Sequence, residues 1–271
     1  MSLKRALIAL MTAFVATTAA AAADSDAQLK ADLQKLAGQK IFFGHQSVGD
    51  NLLAGVRQLA KEAGVAINIT EVKQAGGISA TGFSHAYIDE NTHPLKKMKS
   101  FDAAMGSGAA GVDTAVMKLC YVDFSAQSDA KNFFNQYSQT IEGLRARNPN
   151  TRFVHVTAPL TTVESGVKAT IKRIIGRAPY GIQENQRREE YNAMIRQTYG
   201  GKDTVFDLAR AESRNPDGSA YTVEWKNQSV PAMVPAYSDD GGHLNATGQR
   251  QAAREFIAVL ANAGGKDVAR K

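Results

Sequence analysis

Apolar positions along this chain fall into two kinds of pattern. Short, nearly continuous apolar runs at 40–44, 65–72, 112–124, 152–157 and 204–208 predict five buried strands. Between these runs, apolar residues recur every three or four positions at 26–38, 48–63, 130–144 and 183–199, and again after Asn245, which predicts helices. Strands that alternate with helices form a parallel sheet with helices on both faces. The pattern therefore predicts an α/β fold with a five-stranded parallel sheet.

The first 23 residues have the composition of an export signal. Lys4 and Arg5 begin the chain, and residues 6–23 are apolar or small up to the final Ala-Ala-Ala. This order is typical of a secretory signal peptide; a membrane anchor is the alternative, but the segment is rich in Ala and Thr rather than Leu and Ile. We predict a signal peptide over 1–23 and a single domain over 24–271. The protein is then exported, periplasmic or secreted, with no stable membrane insertion after cleavage.

Composition excludes several classes of protein. The chain has 271 residues, of which 44% are apolar and 21% charged, as in ordinary globular proteins. A single cysteine, Cys120, excludes a disulfide framework, and we expect it to be buried rather than catalytic. Removal of Lys4 and Arg5 with the signal lowers the formal net charge from +6 to +4, and no basic cluster is interleaved with aromatic residues. We therefore expect no nucleic-acid partner.

One serine stands where a parallel sheet binds its ligands. Ser47 follows the first predicted strand and begins the next helix, and ligands of open parallel sheets bind at the carboxyl ends of the strands. A serine there faces the cleft with its backbone N–H at the positive end of the helix dipole, which suits a nucleophile that also stabilises an oxyanion. A helix-capping serine is the commoner occurrence, so this segment alone does not identify an enzyme.

A second segment supplies the groups that a serine nucleophile needs. The run from Asp239 to His243, Asp-Asp-Gly-Gly-His, precedes the last predicted helix. A serine needs a base within hydrogen-bond reach, and a histidine base needs a carboxylate that fixes its tautomer. His243 and Asp240 can supply both from one glycine turn, with Asp239 as the alternative carboxylate. A surface turn with an incidental histidine is the other interpretation.

Taken together, the two segments resemble the SGNH (GDSL-type) hydrolases. The likeness runs from Ile41 to about Leu260, is strongest over 240–245, and includes stretches at 191–196 and 205–208. It implies a flavodoxin-like three-layer sandwich and an exported serine esterase. In that enzyme Ser47 attacks an ester carbonyl, His243 takes the proton and Asp240 orients His243. The resemblance implies O-acetyl groups on a carbohydrate, or another small ester, as substrate, with no cofactor and no metal.

The resemblance is incomplete at the oxyanion hole. The expected backbone donors are Ser47 and Gly77 or Gly76, with Ala80 in an alternative register. The family carries an asparagine donor after the third strand, whereas this chain has Asp123 near that place, and an ionised carboxylate cannot donate. Either Asp123 is protonated, or it orients another donor, or a different residue completes the hole.

Three residues are candidates for binding substrate. His45 and Gln46 stand before Ser47, where the family usually has Gly-Asp, and could also replace the missing oxyanion donor. Trp225 lies in 217–238, which we predict to be a long irregular functional loop. With Tyr221 it either forms a sugar-stacking platform or anchors the loop.

The remaining histidines favour no metal site. His85 and His93 flank a loop with acidic residues but lack a tight ligand spacing, so we predict a solvated loop. His155 lies on an apolar strand and is expected to be a core residue. The glycines between 76 and 82 match no nucleotide-binding fingerprint, so no nucleotide cofactor is predicted.

These observations predict a monomeric esterase acting on an acylated carbohydrate or a small ester. An acyltransferase that passes the acyl group to an envelope polysaccharide is one alternative. A non-catalytic carbohydrate-binding protein on a degenerate hydrolase scaffold is another, because the oxyanion asparagine is missing.

Overall fold

A six-stranded parallel sheet forms the middle layer of the molecule. The computed structural model describes residues 24–106 and 111–263, so the predicted signal peptide lies outside the described residues. The strand order is β2-β3-β1-β4-β5-β6, and all neighbours are parallel. The strands are β1 (Lys40–His45), β2 (Ile69–Glu71), β3 (Gly82–Tyr87), β4 (Thr114–Met117), β5 (Arg152–Val156) and β6 (Val205–Phe206).

Helices cover both faces of this sheet. They are α1 (24–37), α2 (Ser47–Ala63), α3 (Pro94–Met105), α4 (Ala130–Arg147), α5 (Gly166–Ile174), α6 (Ile182–Tyr199), α7 (Leu208–Glu212) and α8 (Ala246–Ala261). One apolar cluster joins the sheet to α1, α2, α7 and α8, and a second joins it to α3, α4 and α6. The predicted three-layer α/β sandwich is confirmed, with six strands in place of five. No helix among the described residues has the length and apolar character needed to cross a bilayer.

The extra strand lies in a stretch for which the sequence pattern predicted neither a strand nor a helix. β3 and α3 both fall within 82–105. β3 buries His85 and Ser84, and α3 buries Lys97. Because these core positions are polar, the apolar period that identifies a strand or helix is broken there. β3 takes the place beside β1, and β2 becomes the edge strand.

Two predicted elements were assigned wrongly in detail. The strand predicted at 112–124 ends at Met117, and Tyr121–Asp123 forms a turn of 3₁₀ helix instead. The predicted irregular loop at 217–238 contains an antiparallel hairpin of β7 (Thr222–Trp225) and β8 (Gln228–Pro231). Lys226 and Asn227 both have positive φ between these strands, which is the geometry of a tight two-residue hairpin turn.

Close packing of α2 on α8 brings the two ends of the domain together. A Cβ at Gly55 would collide with the carbonyl oxygen of Gln249 on α8, so only glycine allows this approach. The side chain of Asn245 accepts hydrogen bonds from the N–H groups of Thr247 and Gly248, which confirms it as the cap of α8. Ser47 at the start of α2 and the loop before α8 therefore meet at the carboxyl edge of β1.

Candidate active site

Ser47 is the first residue of α2 and is separated from the end of β1 by Gln46 alone. The capping position belongs to Gln46, which has extended backbone and no side-chain cap bond. Ser47 is therefore not a capping serine, and its hydroxyl is available for another partner. Its backbone N–H lies in the first turn, where a helix leaves N–H groups unpaired, and it has no acceptor among the described residues.

The hydroxyl of Ser47 meets the imidazole of His243. Ser47 Oγ lies 2.9 Å from His243 Nε2, and His243 Nδ1 lies 2.6 Å from Asp240 Oδ2. Since the carboxylate can only accept, Nδ1 carries the proton and Nε2 presents its lone pair to the serine. Three side chains that are up to 196 residues apart in the sequence thus form one hydrogen-bonded chain. In this arrangement His243 can accept the serine proton.

Asp240 is held in place by its own loop. Oδ1 accepts the backbone N–H groups of Gly242 and His243, each at 2.8 Å, while Oδ2 faces the imidazole. Desolvation would raise the pKa of Asp240, but the hydrogen bonds from His243 and Gly242 hold it well below its usual range. Asp239, the alternative carboxylate, accepts from Asn245 Nδ2 at 3.0 Å. The structure therefore brings Asp240 to His243 and directs Asp239 to the start of α8.

Contacts on both sides fix the loop that carries His243. The side chain of Asn51 on α2 accepts the N–H of Leu244 at 3.0 Å. On the other side, Thr162 N–H donates to the carbonyl of Gly241 at 2.9 Å. These bonds tie the loop to α2 and to the segment after β5, so the distance between Ser47 and His243 is set by the fold.

Tyr121 packs on the histidine, and sequence reasoning missed it. Its ring meets His243 edge-on, with ring centroids 5.5 Å apart and an interplanar angle of 80°. The Tyr121 hydroxyl has no hydrogen-bond partner within 24–106 and 111–263, and desolvation raises the pKa of Tyr121, so the group stays protonated. Its carbonyl is held by Arg188 Nε and Nη2 at 3.1 and 2.9 Å. The available signal was its place in the turn after β4, where the hydrolases that the sequence resembles carry an asparagine.

Asp123 is not an oxyanion donor. Both its oxygens lie 2.8 Å from Lys97 Nζ, in an ion pair with no solvent exposure. It also accepts the N–H groups of Thr92 at 2.9 Å and Cys120 at 2.7 Å. A carboxylate that receives four hydrogen bonds from three donor groups acts as an acceptor. Asp123 instead fixes the turn that presents Tyr121.

The predicted glycine donors follow the wrong strand. Gly76 and Gly77 lie in a short turn after β2, which is separated from β1 by β3. The N–H of Gly77 already donates to the carbonyl of Gln74 at 3.0 Å. The strand that lies between β2 and β1 is β3, and the segment that follows it is 88–90. Gln46 contacts this segment, because its side-chain amide donates to the carbonyls of Ile88 and Asp89.

Two of the three predicted substrate-binding residues point into the protein. His45 is fully buried, and desolvation lowers its pKa to about 3. Trp225 is 8% exposed and packs in a third apolar cluster with Val163 and Ile182, so it anchors the hairpin and offers no open face for a sugar. Gln46 is half-buried next to Ser47 and stays a candidate contact.

The predictions for the remaining histidines and for the cysteine are confirmed in part. His85 lies buried on β3 against His45 and not in a solvated loop, whereas His93 is exposed at the start of α3. His155 is buried between Tyr137 and Arg145, at 2.8 and 3.0 Å, which confirms it as a core residue. Cys120 is free and buried, as predicted.

Comparison with known proteins yields structural likeness only. No protein-family model matches the chain, and no curated protein matches its sequence. A Streptococcus pneumonia protein named for platelet activating factor is 14% identical, with 96% of this chain and 100% of that chain covered and a TM-score of 0.49. An acetyl xylan esterase is 14% identical, with 81% and 98% covered and a TM-score of 0.42. The periplasmic domain of a lipopolysaccharide acetyltransferase from Salmonella Paratyphi A is 13% identical, with 86% and 85% covered and a TM-score of 0.39.

Proposed function

We propose that this protein is a serine esterase whose nucleophile is Ser47. The observation that carries the proposal is the unbroken hydrogen-bonded chain from Ser47 Oγ through His243 to Asp240, at 2.9 and 2.6 Å. This is the arrangement that activates a hydroxyl for attack on a carbonyl. Its place at the carboxyl edge of the central strand is where parallel sheets bind their substrates.

The reaction follows from the positions of the protons. Ser47 Oγ attacks the acyl carbonyl while its proton passes to His243 Nε2, and Asp240 stabilises the resulting imidazolium. The negative oxygen of the tetrahedral intermediate is stabilised by the unpaired backbone N–H of Ser47. His243 then gives its proton to the leaving alcohol, and the ester bond breaks. Water, activated by the same histidine, releases the acid from the acyl-enzyme.

Tyr121 is our candidate for the second oxyanion donor. Its protonated hydroxyl has no partner in the described part of the chain, and its ring lies edge-on to His243 in the turn that follows β4. A phenol can donate one hydrogen bond, as the side-chain amide of asparagine does. With Tyr121 in this role, the missing asparagine is no longer a reason to expect a protein without catalytic activity.

The proposed substrates are small acyl esters, O-acetyl groups above all, on a carbohydrate. The side chains of His243 and Asp240 are 39% and 57% exposed, so the triad lies in an open site rather than a deep pocket. An open site admits an ester displayed on a polymer, and an exported location fits such a substrate. The same openness also admits a sugar hydroxyl in place of water, so acyl transfer is the second candidate function.

One experiment tests the nucleophile. Purified protein is assayed with p-nitrophenyl acetate, and a fluorophosphonate probe is used to label the reactive serine. We expect Ser47→Ala and His243→Ala to lose about 10³-fold or more in kcat/KM, and labelling to map to Ser47. The matched control His93→Ala should keep full activity. Equal activity in wild type and Ser47→Ala, or labelling at another serine, would contradict the proposal.

A second experiment tests whether Tyr121 is an oxyanion donor. Tyr121→Phe keeps the ring against His243 and removes only the hydroxyl, so a loss of about 10²-fold in kcat is expected for a lost oxyanion donor. Unchanged kcat would show that Tyr121 is not an oxyanion donor.

Addition of chitooligosaccharides or xylooligosaccharides to the acetyl-ester assay distinguishes the two candidate functions. Acyl transfer forms acetylated sugar, whereas hydrolysis forms acetate alone.

A further inference from the structure

We propose that His45, Asp50 and His85 form a binding site for a divalent transition metal behind the first turn of α2. One ligand atom from each residue lies within 4.8 Å of the others. His45 ends β1, His85 lies on β3 and Asp50 lies on α2, so the three ligands come from three elements. Neither the proposed esterase reaction nor its triad uses any of them.

The two histidines present their ring nitrogens to each other. His45 Nε2 and His85 Nδ1 are 3.0 Å apart, at hydrogen-bond distance, and both side chains are buried. A metal ion between them would replace the proton of this hydrogen bond. His45 Nδ1 lies 2.9 Å from the carbonyl of Gln46, to which it donates, so its Nε2 carries a lone pair. A second ring N–H held by a backbone carbonyl is the usual support of a metal-binding histidine, because it fixes the tautomer and the ring orientation.

Asp50 supplies the third ligand and is also oriented. The hydroxyl of Tyr87 donates to Asp50 Oδ1 at 3.0 Å, and one carboxylate oxygen of Asp50 lies within 4.8 Å of the histidine nitrogens. Two imidazoles and a carboxylate are a ligand set that suits zinc, cobalt or iron(II), with further positions open to water. Other charges near the histidines are those of Arg57 and Glu71, beside His85, and of the buried Lys118, which acts on His45.

Such a metal would join the strand and the helix on either side of Ser47. Gly49 lies directly on the His45 ring, where a Cβ would collide with it, so His45 is wedged beneath the turn that begins with Ser47. A bond from this ring to Asp50 and His85 would hold that turn against β1 and β3. The metal would therefore position Ser47 and stabilise the fold. It takes no part in the acyl-transfer reaction itself.

Metal titration tests the site independently of catalysis. Chelator-treated Ser47→Ala protein is titrated with Zn²⁺ by calorimetry and with Co²⁺ by visible absorption, and thermal unfolding is recorded with and without Zn²⁺. We expect one ion per chain, Co²⁺ bands of a nitrogen- and oxygen-ligated ion, and a raised Tm. The same behaviour is expected with His93→Ala added, since His93 is exposed on another element.

His85→Ala should weaken Zn²⁺ binding at least 100-fold and abolish the Co²⁺ bands. Asp50→Asn, which keeps an oxygen for Tyr87, is the second variant in case His85→Ala does not fold, and it should weaken binding at least 10-fold. Absence of stoichiometric binding, or binding that survives both substitutions, would overturn the metal site. Esterase activity in metal-free protein leaves the proposed function intact, so the two proposals fail separately.

A second feature, independent of the first, is an exposed apolar face on α5. Val167, Ile171 and Ile174 are 77%, 54% and 78% exposed, at the spacing that places them on one side of the helix. The opposite side packs inward through Ala169, which is 2% exposed. Ile175 and Tyr180, 59% and 71% exposed, extend this α5 surface beyond the helix.

Basic residues surround the α5 surface. Lys168, Arg173 and Arg177 are exposed, while Lys172 pairs with Glu164 at 2.5 Å. A helix with aliphatic side chains on one face and cations beside them is built to lie in the headgroup layer of an anionic membrane. Through Thr162, whose N–H holds Gly241, this segment adjoins the loop that carries His243.

We infer that the α5 surface docks on an anionic lipid surface, peripherally and without spanning it. Ser47→Ala protein, which cannot turn over lipid esters, is mixed with phosphatidylcholine vesicles with and without 30 mol% phosphatidylglycerol, and flotation is measured. Binding is expected only with the anionic vesicles and should fall as salt rises. Ile174→Glu should weaken it at least 10-fold. The matched control Leu95→Glu, at an exposed apolar residue of α3, should leave it unchanged.

Equal binding to neutral vesicles, or binding that Ile174→Glu leaves unchanged, would overturn this docking. So would self-association through the same face, seen by light scattering as a dimer that Ile174→Glu dissociates. Neither result bears on turnover of soluble esters, so the esterase proposal is tested apart from it.

Discussion

Replacement of Asp240 by asparagine tests the proposed orienting role of that carboxylate. In the native site Oδ1 accepts two backbone N–H groups and Oδ2 accepts His243 Nδ1. Asparagine has only one oxygen, and the two backbone N–H groups retain it, so the amide NH₂ must face Nδ1. The imidazole then carries its proton on Nε2 and can no longer accept one from Ser47. Asp240→Asn therefore preserves the loop but selects the inactive tautomer.

The size of the effect follows from the exposure of the site. An asparagine in place of a triad aspartate costs about 10⁴-fold in kcat when the carboxylate is buried. Here the Asp240 side chain is 57% exposed, so water can support the active tautomer part of the time. We expect a loss of about 10³-fold, which is about 4 kcal/mol of transition-state stabilisation.

Steady-state hydrolysis of p-nitrophenyl acetate gives the kcat values, and thermal unfolding checks that the variant keeps its fold. Asp239→Asn is the matched control, because Asp239 neighbours Asp240 but accepts from Asn245. It should retain kcat within about twofold, as expected of a residue with no transition-state contact. If Asp240→Asn kept wild-type kcat, or if Asp239→Asn were the inactive variant, the orienting role assigned to Asp240 would be refuted.

Two further predictions concern buried ionisable side chains. Asp123→Asn leaves Lys97 buried without its carboxylate partner, so urea unfolding should show a loss of about 3–5 kcal/mol, and activity should fall rather than rise; unchanged stability would contradict the ion pair. Burial raises the pKa of Glu212 from 4.5 to about 8. The folded protein therefore binds an extra proton between these values, and its stability falls as pH rises through that range. Glu212→Gln should remove this part of the fall between pH 5 and 8, and an identical pH dependence in both proteins would contradict it.

The three predicted residues that the structure brings into contact share a simple property. Ser47 directly follows an apolar strand, and Asp240 and His243 lie together in a glycine turn, so each pattern is complete within a few residues. Whether the two segments meet depends only on the parallel order of the strands and on α2 packing against α8. These local patterns, together with the rule that parallel sheets bind ligands at the carboxyl ends of their strands, were enough to predict that the three side chains meet.

The residues that were placed wrongly depend on pairing across the chain. The family resemblance predicts Gly77 beside Ser47, but β3 lies between β1 and β2, and the buried His85 breaks the apolar pattern of β3. That histidine is tolerated in the core because His45, forty positions earlier, pairs with it. No window of sequence contains both partners, so the apolar period alone could not reveal the strand.

Asp123 and Tyr121 show why the missing asparagine was hard to interpret from the sequence. A carboxylate near the expected amide suggested a damaged oxyanion hole, yet this carboxylate is neutralised by Lys97 from α3 and holds the N–H of Cys120. Its effect is to fix the turn that follows β4, and that turn carries Tyr121 to the edge of His243. The side chain of tyrosine is longer than that of asparagine. A tyrosine hydroxyl therefore reaches the same oxyanion only from a backbone that lies further from it. The ion pair beneath the turn is what sets that position, which is why Asp123→Asn and Tyr121→Phe should both lower kcat, whereas only Asp123→Asn should lower stability by several kcal/mol.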